Sequence, residues 1–244
     1  MIKKINGLLK ILIVAVMINF ITVTIIAAQS GEENSYRLFV VKDIKSLKTE
    51  IAADSDKRMV DLKKRTPSLV LDLRYSSVYN FMHRRLYPKL NTTYLRLTAA
   101  KSLEKVVAEL KAKNLTLKIF DAYRPYSVTE KIWEAVKDSR YAADPFKGSG
   151  HNRGIAVDLT LVDLTTKKEL PMGTGFDNFS DSAHQNFTAL PGSVLANRKL
   201  LKSAMEKYGF VNLETEWWHF SLPNAGDYEI LDIPFEELNK LNRK

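Results

Sequence analysis

Two stretches of the chain hold residues that together could bind a metal ion. Gly148 to Thr160 reads Gly-Ser-Gly-His-Asn-Arg-Gly-Ile-Ala-Val-Asp-Leu-Thr, and Glu216 to Phe220 reads Glu-Trp-Trp-His-Phe. His151, Asp158 and His219 supply nitrogen and oxygen donors and leave a fourth tetrahedral position for water, which is the donor pattern of a catalytic zinc. Zinc lowers the pKa of its water toward about 7, and a carboxylate outside the ligand set can take the proton as that water attacks a carbonyl. Glu216 suits that role. Arg124 could stabilise the charge that grows on the carbonyl oxygen, because a fixed cation in a dry site favours developing charge over a neutral group.

Each residue also has an ordinary reading. A histidine in a glycine loop is usually a polar surface residue, Asp158 could cap a nearby turn, and Glu216 could be a surface acid. Arg124 could form a salt bridge to Asp121, and Trp217 and Trp218 could simply pack. The conjunction of all of them carries the metal reading. Cysteine is absent, which excludes disulfides, thiolate catalysis and every cysteine-containing metal site. The chain has four histidines, His83, His151, His184 and His219. Of these, His184 reads as a neighbour of the site or a surface residue, and His83 as surface.

The elements that must position these groups are partly legible. Ile155, Val157, Leu159 and Leu161 fall on one face of a strand, and Ala156, Asp158 and Thr160 on the other, which leaves room for a cation beside a small alanine. Glu216 and His219 lie three apart, so a regular strand would send them to opposite faces. Either a helical turn or a bulge must bring them together.

Leu69, Leu71 and Leu73 alternate as one side of a strand, and so do Leu115, Leu117 and Ile119, which run into Asp121 and Arg124. Thr98 is expected to cap a helix carrying Ala99, Leu103, Val106, Val107 and Leu110, with Asn114 as its left-handed stop. Ser127 and Glu130 form a capping-box pattern ahead of Ile132, Trp133 and Val136. A further helix is expected from about Val194 to Tyr208, closed by Gly209. Strands and helices mix without regular βαβ alternation, which predicts an α+β fold with a mainly antiparallel sheet packed with helices.

The chain's 244 residues suit one domain after a leader. Lys3, Lys4 and Lys10 precede or open a run to Ala28 that is almost wholly apolar, so residues 1–28 read as an export signal cut after Ala28. The alternative is an uncleaved anchor, since about eighteen to twenty apolar residues can span a bilayer. Residues 29–58 read as a polar extension with a helical stretch from Ser46 to Ala53, and 59–244 as the working domain. The formal net charge is +9, with basic residues scattered among acids as in Asp61, Lys63, Lys64 and Arg65. This predicts a solvated surface and no nucleic-acid groove, with membrane contact only through the leader.

From Met59 to Pro234 the sequence resembles the D-alanyl-D-alanine dipeptidases, the vancomycin-resistance dipeptidase type within the zinc D,D- and L,D-carboxypeptidases. The resemblance rests on Leu71-Asp72-Leu73-Arg74-Tyr75 with Asn80-Phe81, Asp121-Ala122-Tyr123-Arg124-Pro125, and Pro171-Met172-Gly173 with Phe176-Asp177. It rests also on the full Ser-x-His-x-x-Gly-x-Ala-x-Asp pattern at Ser149, His151, Gly154, Ala156 and Asp158, and on Glu216-Trp217-Trp218-His219-Phe220.

The resemblance implies the fold of those peptidases and one zinc per chain on His151, Asp158 and His219. It implies Glu216 as the base and Arg124 as the group that polarises the scissile carbonyl. It also implies Asp177 near the substrate's ammonium group, and Ser149 and Tyr75 around the dipeptide. Where such dipeptidases often have a second serine before the first histidine, this chain has Gly150. The implied substrate is a small D-amino-acid dipeptide, D-alanyl-D-alanine first, cleaved in the periplasm or cell envelope during wall turnover or scavenging. The alternatives are a murein D,D- or L,D-carboxypeptidase with a more open cleft, and a non-catalytic zinc-bearing wall-binding module.

Overall fold

The computed structural model describes residues 32–34 and 36–243, so the leader read at 1–28 lies outside the described residues. Ten strands and six α-helices are formed among the described residues. The chain begins with β1 (Glu32–Glu33), β2 (Phe39–Val41), α1 (Ile44–Ala53), β3 (Met59–Asp61), α2 (Leu62–Arg65) and β4 (Val70–Leu71). It continues with β5 (Tyr94–Arg96), α3 (Leu97–Lys111), β6 (Leu115–Asp121), α4 (Tyr126–Val136) and β7 (Ala156–Asp163). Then come α5 (Gly192–Lys207), β8 (Val211–Leu213), β9 (Glu216–Ser221), β10 (Ile230–Leu231) and α6 (Phe235–Leu241). No helix among the described residues is long and apolar enough to cross a membrane.

A five-stranded sheet in the order β4-β6-β7-β9-β8 organises the molecule. Only the β4–β6 pair in it is parallel, so the sheet is mainly antiparallel, as the α+β reading expects. Leu115, Leu117 and Ile119 of β6 and Val157, Leu159 and Leu161 of β7 join one apolar cluster. Leu103, Val106, Val107 and Leu110 of α3 and Leu201, Ala204 and Met205 of α5 complete it. Burying one such aliphatic side chain contributes about 1.5–3 kcal/mol, so two helices seated on one face hold the sheet rigidly. A second cluster, rich in tyrosine, collects Tyr75, Tyr87, Tyr94 and Tyr123 with Phe235 and Leu238.

Several local expectations were displaced by tertiary bonds. Thr98 does not cap α3, which starts at Leu97 with Arg96 as its N-cap residue. The reason is that Arg96 N bonds Gly154 O at 2.7 Å and Leu97 N bonds Arg58 O at 2.8 Å, fixing the chain reversal one step earlier. Ser127 and Glu130 form no capping box. Pro125 precedes α4, and the free Ser127 N–H is satisfied at 2.9 Å by Asp232 Oδ1 from far along the chain. Leu69 and Leu73 are buried as expected, but the strand between them is only Val70–Leu71. Asn114 and Gly209 do take the left-handed conformation, with φ of 59° and +92°.

The described part of the 29–58 stretch folds onto the body. Strand β2 pairs in parallel with β10, and α1, capped by Asp43 through Ser46 N at 2.9 Å, buries Leu47 and Glu50. The helical stretch expected from Ser46 to Ala53 is the body of α1, whereas β2, with three residues, is too short an apolar run to read as a strand.

Candidate metal centre and active-site cavity

Strand pairing brings the donors together. In the antiparallel β7–β9 pair, Asp158 lies directly opposite His219, so their side chains leave the same face of the sheet. On the other side of β9, Phe220 pairs with Asn212 and Glu216 with Leu213, so four steps along β9 match one along β8. That bulge is the irregularity needed to bring Glu216 and His219 together, and it excludes the helical turn. Glu216 Oε2 stands 3.9 Å from His219 Nδ1. A second bulge lies in β6, where Ile119 pairs with Leu159 but Asp121 with Asp158. It aims the Asp121 carboxylate toward the site.

His151 comes from the loop before β7, and that loop is tied down at many points. Ser149 Oγ accepts from His151 N at 3.0 Å, and Arg124 N bonds His151 O at 3.2 Å. The buried Asn152 side chain accepts from Ser149 N at 3.0 Å and donates to Arg124 O at 2.9 Å and Thr129 Oγ1 at 2.8 Å. Gly150 passes so close to β7 and β9 that a Cβ would sit 2.6 Å from Ser221 Oγ and 2.8 Å from Ala156 Cβ. The position therefore has no room for a serine unless its neighbours shift. Gly154 has φ +70°, and a Cβ there would sit 2.8 Å from Met59 Sδ.

The donor atoms fit a small divalent ion. His151 Nδ1 lies 2.7 Å from Ala122 O, which can only accept, so Nδ1 carries the proton and Nε2 presents its lone pair to the site. That Nε2 is 3.2 Å from His219 Nδ1 and 3.3 Å from Asp158 Oδ2, and His219 Nδ1 is 2.9 Å from Asp158 Oδ1. Tetrahedral donors at zinc bond lengths stand roughly 3.3 Å apart, so the three side chains already have the spacing of one coordination face. They form the one group of potential metal ligands of this kind among the described residues.

The electrostatics point the same way. Burial opposes the charge of Asp158, but the facing His151 and His219 outweigh it and hold the carboxyl well below the usual carboxylate range. Glu216 is pushed up to about 8, first by burial and then by Asp158. Asp177 is also raised well above its ordinary value, by burial and by Asp158 and Glu216. A buried cavity that crowds carboxylates in this way gains from a bound cation.

Arg124 forms the salt bridge to Asp121 that the sequence allows, and it does so on the cavity wall. Its Nε and one terminal nitrogen reach Asp121 Oδ2 at 2.9 and 2.8 Å, while the same terminal nitrogen is 3.7 Å from Asp158 Oδ2. The guanidinium also lies 5.1 Å over the Tyr75 ring and lines the cavity. Tyr75 OH donates to Asp177 Oδ1 at 3.1 Å, and Asp177 Oδ2 is buried without a partner among the described residues. Asp177 holds a left-handed φ of 58°, which turns its carboxylate into the site.

His151, Asp158, His219, Glu216, Arg124, Tyr75, Ser149 and Asp177 all line one cavity of about 260 Å³. His83 and His184 line no part of it. Sequence reasoning missed three contributors: Tyr87, whose OH donates to Asp121 Oδ1 at 2.9 Å, the Asn152 hub, and Arg140 on the cavity wall. Asn152 was visible only as a member of the glycine loop, and Arg140 sits in a stretch with no periodicity.

The sequence profile of a family described as D-ala-D-ala dipeptidase matches residues 55–240. A D-alanyl-D-alanine dipeptidase of Escherichia coli K12 is 36% identical over 177 residues, covering 72% of this chain and 91% of its own length. One from Enterococcus faecium is 32% identical over 137 residues, covering 46% of this chain and 68% of its own. Among solved structures, a vancomycin-resistance D,D-pentapeptidase in complex with Zn(II) aligns with a TM-score of 0.36 at 14% identity, over 63% of this chain and 81% of that one.

Proposed function

This chain belongs to the D-ala-D-ala dipeptidase family of peptidases, and on that premise we propose that it is an exported zinc-dependent dipeptidase hydrolysing D-alanyl-D-alanine. The observation that carries the reading is the convergence of His151 Nε2, His219 Nδ1 and the Asp158 carboxylate on one point, with Glu216 Oε2 3.9 Å from His219. We assign His151, Asp158 and His219 as the ligands of one zinc ion. When bound, zinc supplies a water of lowered pKa and a Lewis acid for the carbonyl.

The chain's own residues account for the remaining work. Glu216 accepts a proton from the attacking water and passes it to the departing amine nitrogen. The water oxygen bonds to the carbonyl carbon, the carbon–nitrogen bond breaks, and each product leaves as a free amino acid. Arg124, held by Asp121, faces the carbonyl oxygen as it gains charge. At the other end Asp177 offers its unpaired Oδ2 to the substrate's ammonium group, while Tyr75 OH fixes Oδ1. Ser149 acts mainly through the loop, by accepting the His151 N–H.

The family match and the 36% identical dipeptidase support a free dipeptide over a long stem peptide. Assays of D-alanine release from D-alanyl-D-alanine, and from tetrapeptide and pentapeptide stems, test this. Release from the dipeptide is expected, and cleavage of the stems alone would replace the reading with a carboxypeptidase. The basic start and apolar run of residues 1–28 support export to the periplasm or cell envelope. An exported enzyme would miss the cytoplasmic pool of D-alanyl-D-alanine, so wall turnover or scavenging suits it better than antibiotic resistance. Fractionation that finds a cytoplasmic protein with its first residues intact would reverse that preference.

A further inference from the structure

A dipeptide carries a carboxylate as well as an ammonium group, and the roles assigned above leave the carboxylate without a partner. Two guanidinium groups line the cavity, those of Arg124 and Arg140. Arg124 is buried and committed to Asp121. Arg140 is at the mouth, with its side chain 65% exposed. Its ion pair with Asp138, two residues away, is exposed, and such pairs yield readily to a better-placed anion.

The backbone of Arg140 is fixed against the catalytic strand. Thr215 Oγ1 donates to Arg140 O at 2.9 Å, and Thr215 is the neighbour of Glu216. Asp138 Oδ1 accepts the Arg140 N–H at 3.0 Å, and the ring of the adjacent Tyr141 rests 5.1 Å from that of Phe179. Substrate chemistry then fixes the order of groups. The departing nitrogen, which takes its proton from Glu216, is bonded to the same α-carbon as the terminal carboxylate. The carboxylate therefore leaves the site on the side of Glu216, where Thr215 holds Arg140. The ammonium group, one residue away, falls toward Asp177 and Tyr75.

We infer that Arg140 is a substrate-binding residue that recognises the free C-terminal carboxylate of the dipeptide and makes that carboxylate a requirement for efficient cleavage. The inference rests on the dipeptidase reading. Arginine suits the task because its planar fork matches a carboxylate with two parallel hydrogen bonds.

The test compares D-alanyl-D-alanine with its C-terminal amide in the wild type and in Arg140→Ala and Arg140→Lys, all zinc-loaded. The backbone bonds of Arg140 survive both substitutions, and what the alanine variant loses locally is the exposed pair with Asp138 and the stacking 5.1 Å over the Tyr141 ring. Wild type is expected to prefer the acid. Arg140→Ala should raise KM for the acid by about tenfold, change kcat by less than about twofold and leave the amide unaffected, so the preference collapses. Arg140→Lys should recover part of it. An acid preference that persists in Arg140→Ala overturns the inference and leaves the dipeptidase reading standing. A wild type that cleaves neither compound overturns both.

Discussion

Replacing Glu216 with Gln should make the metal-free protein less sensitive to alkaline pH. Glu216 is buried, and burial together with the neighbouring Asp158 pushes its carboxyl up from 4.5 to about 8. The folded protein therefore holds this proton over a pH range in which the unfolded chain releases it. Stability from this group is fully present below about pH 4.5 and is lost as pH rises toward 8. Each pH unit inside the window is worth about 1.4 kcal/mol, so the loss between pH 5 and pH 8 is about 3 to 4 kcal/mol.

Asp177 is raised in the same direction, in part by Glu216 itself, so the substitution also relieves some of the strain on Asp177. The difference between the two proteins reports Glu216 together with the part of the Asp177 shift that Glu216 causes. Urea denaturation in the presence of chelator at pH 5, 6, 7 and 8 measures it. The gap between Glu216→Gln and wild type should widen in favour of the variant by several kcal/mol over that range. Curves that stay parallel would refute the claim that the buried site strains this carboxylate toward its neutral form. The same strain gives a bound cation its advantage.

Two further substitutions probe the loop that carries His151. Gly150→Ser should lower stability by about 1–3 kcal/mol and reduce Tm, because its Cβ would meet Ser221 Oγ at 2.6 Å and Ala156 Cβ at 2.8 Å. Calorimetry on the single variant and on Gly150→Ser with Ser221→Gly checks it, with partial recovery expected in the pair. Asn152→Ala removes two buried hydrogen bonds, to Arg124 O and Thr129 Oγ1, and a partly buried one from Ser149 N. It should destabilise the protein by about 2–4 kcal/mol and weaken zinc binding in equilibrium dialysis, while unchanged zinc affinity would show that the loop holds His151 without it.

The chemistry was more legible in the sequence than the geometry that assembles it. His151 and Asp158 could be read together because a glycine loop runs straight into a strand whose alternation separates Asp158 from Val157 and Leu159. The pairing of Asp158 with His219 depends on the register of two strands 61 residues apart, and residue spacing carries no record of that. For the same reason the spacing of Glu216 and His219 left two backbone solutions open, and only the pairing of β8 with β9 selects the bulge. Cap rules failed at Thr98 and Ser127 because both helix starts are fixed by distant partners, Gly154 and Asp232. Arg140 was invisible because a lone cation in an irregular loop looks like any solvated surface residue until its place on the cavity wall is known.

The central claim is that His151, Asp158 and His219 hold a zinc ion that Glu216 serves. The direct measurement is D-alanine release from D-alanyl-D-alanine by wild type and Glu216→Ala, each stripped by chelator and then titrated with zinc while bound metal is counted. Both proteins should take up one zinc, and only wild type should regain turnover. Turnover that survives chelation, or that Glu216→Ala retains at full rate, would contradict the account.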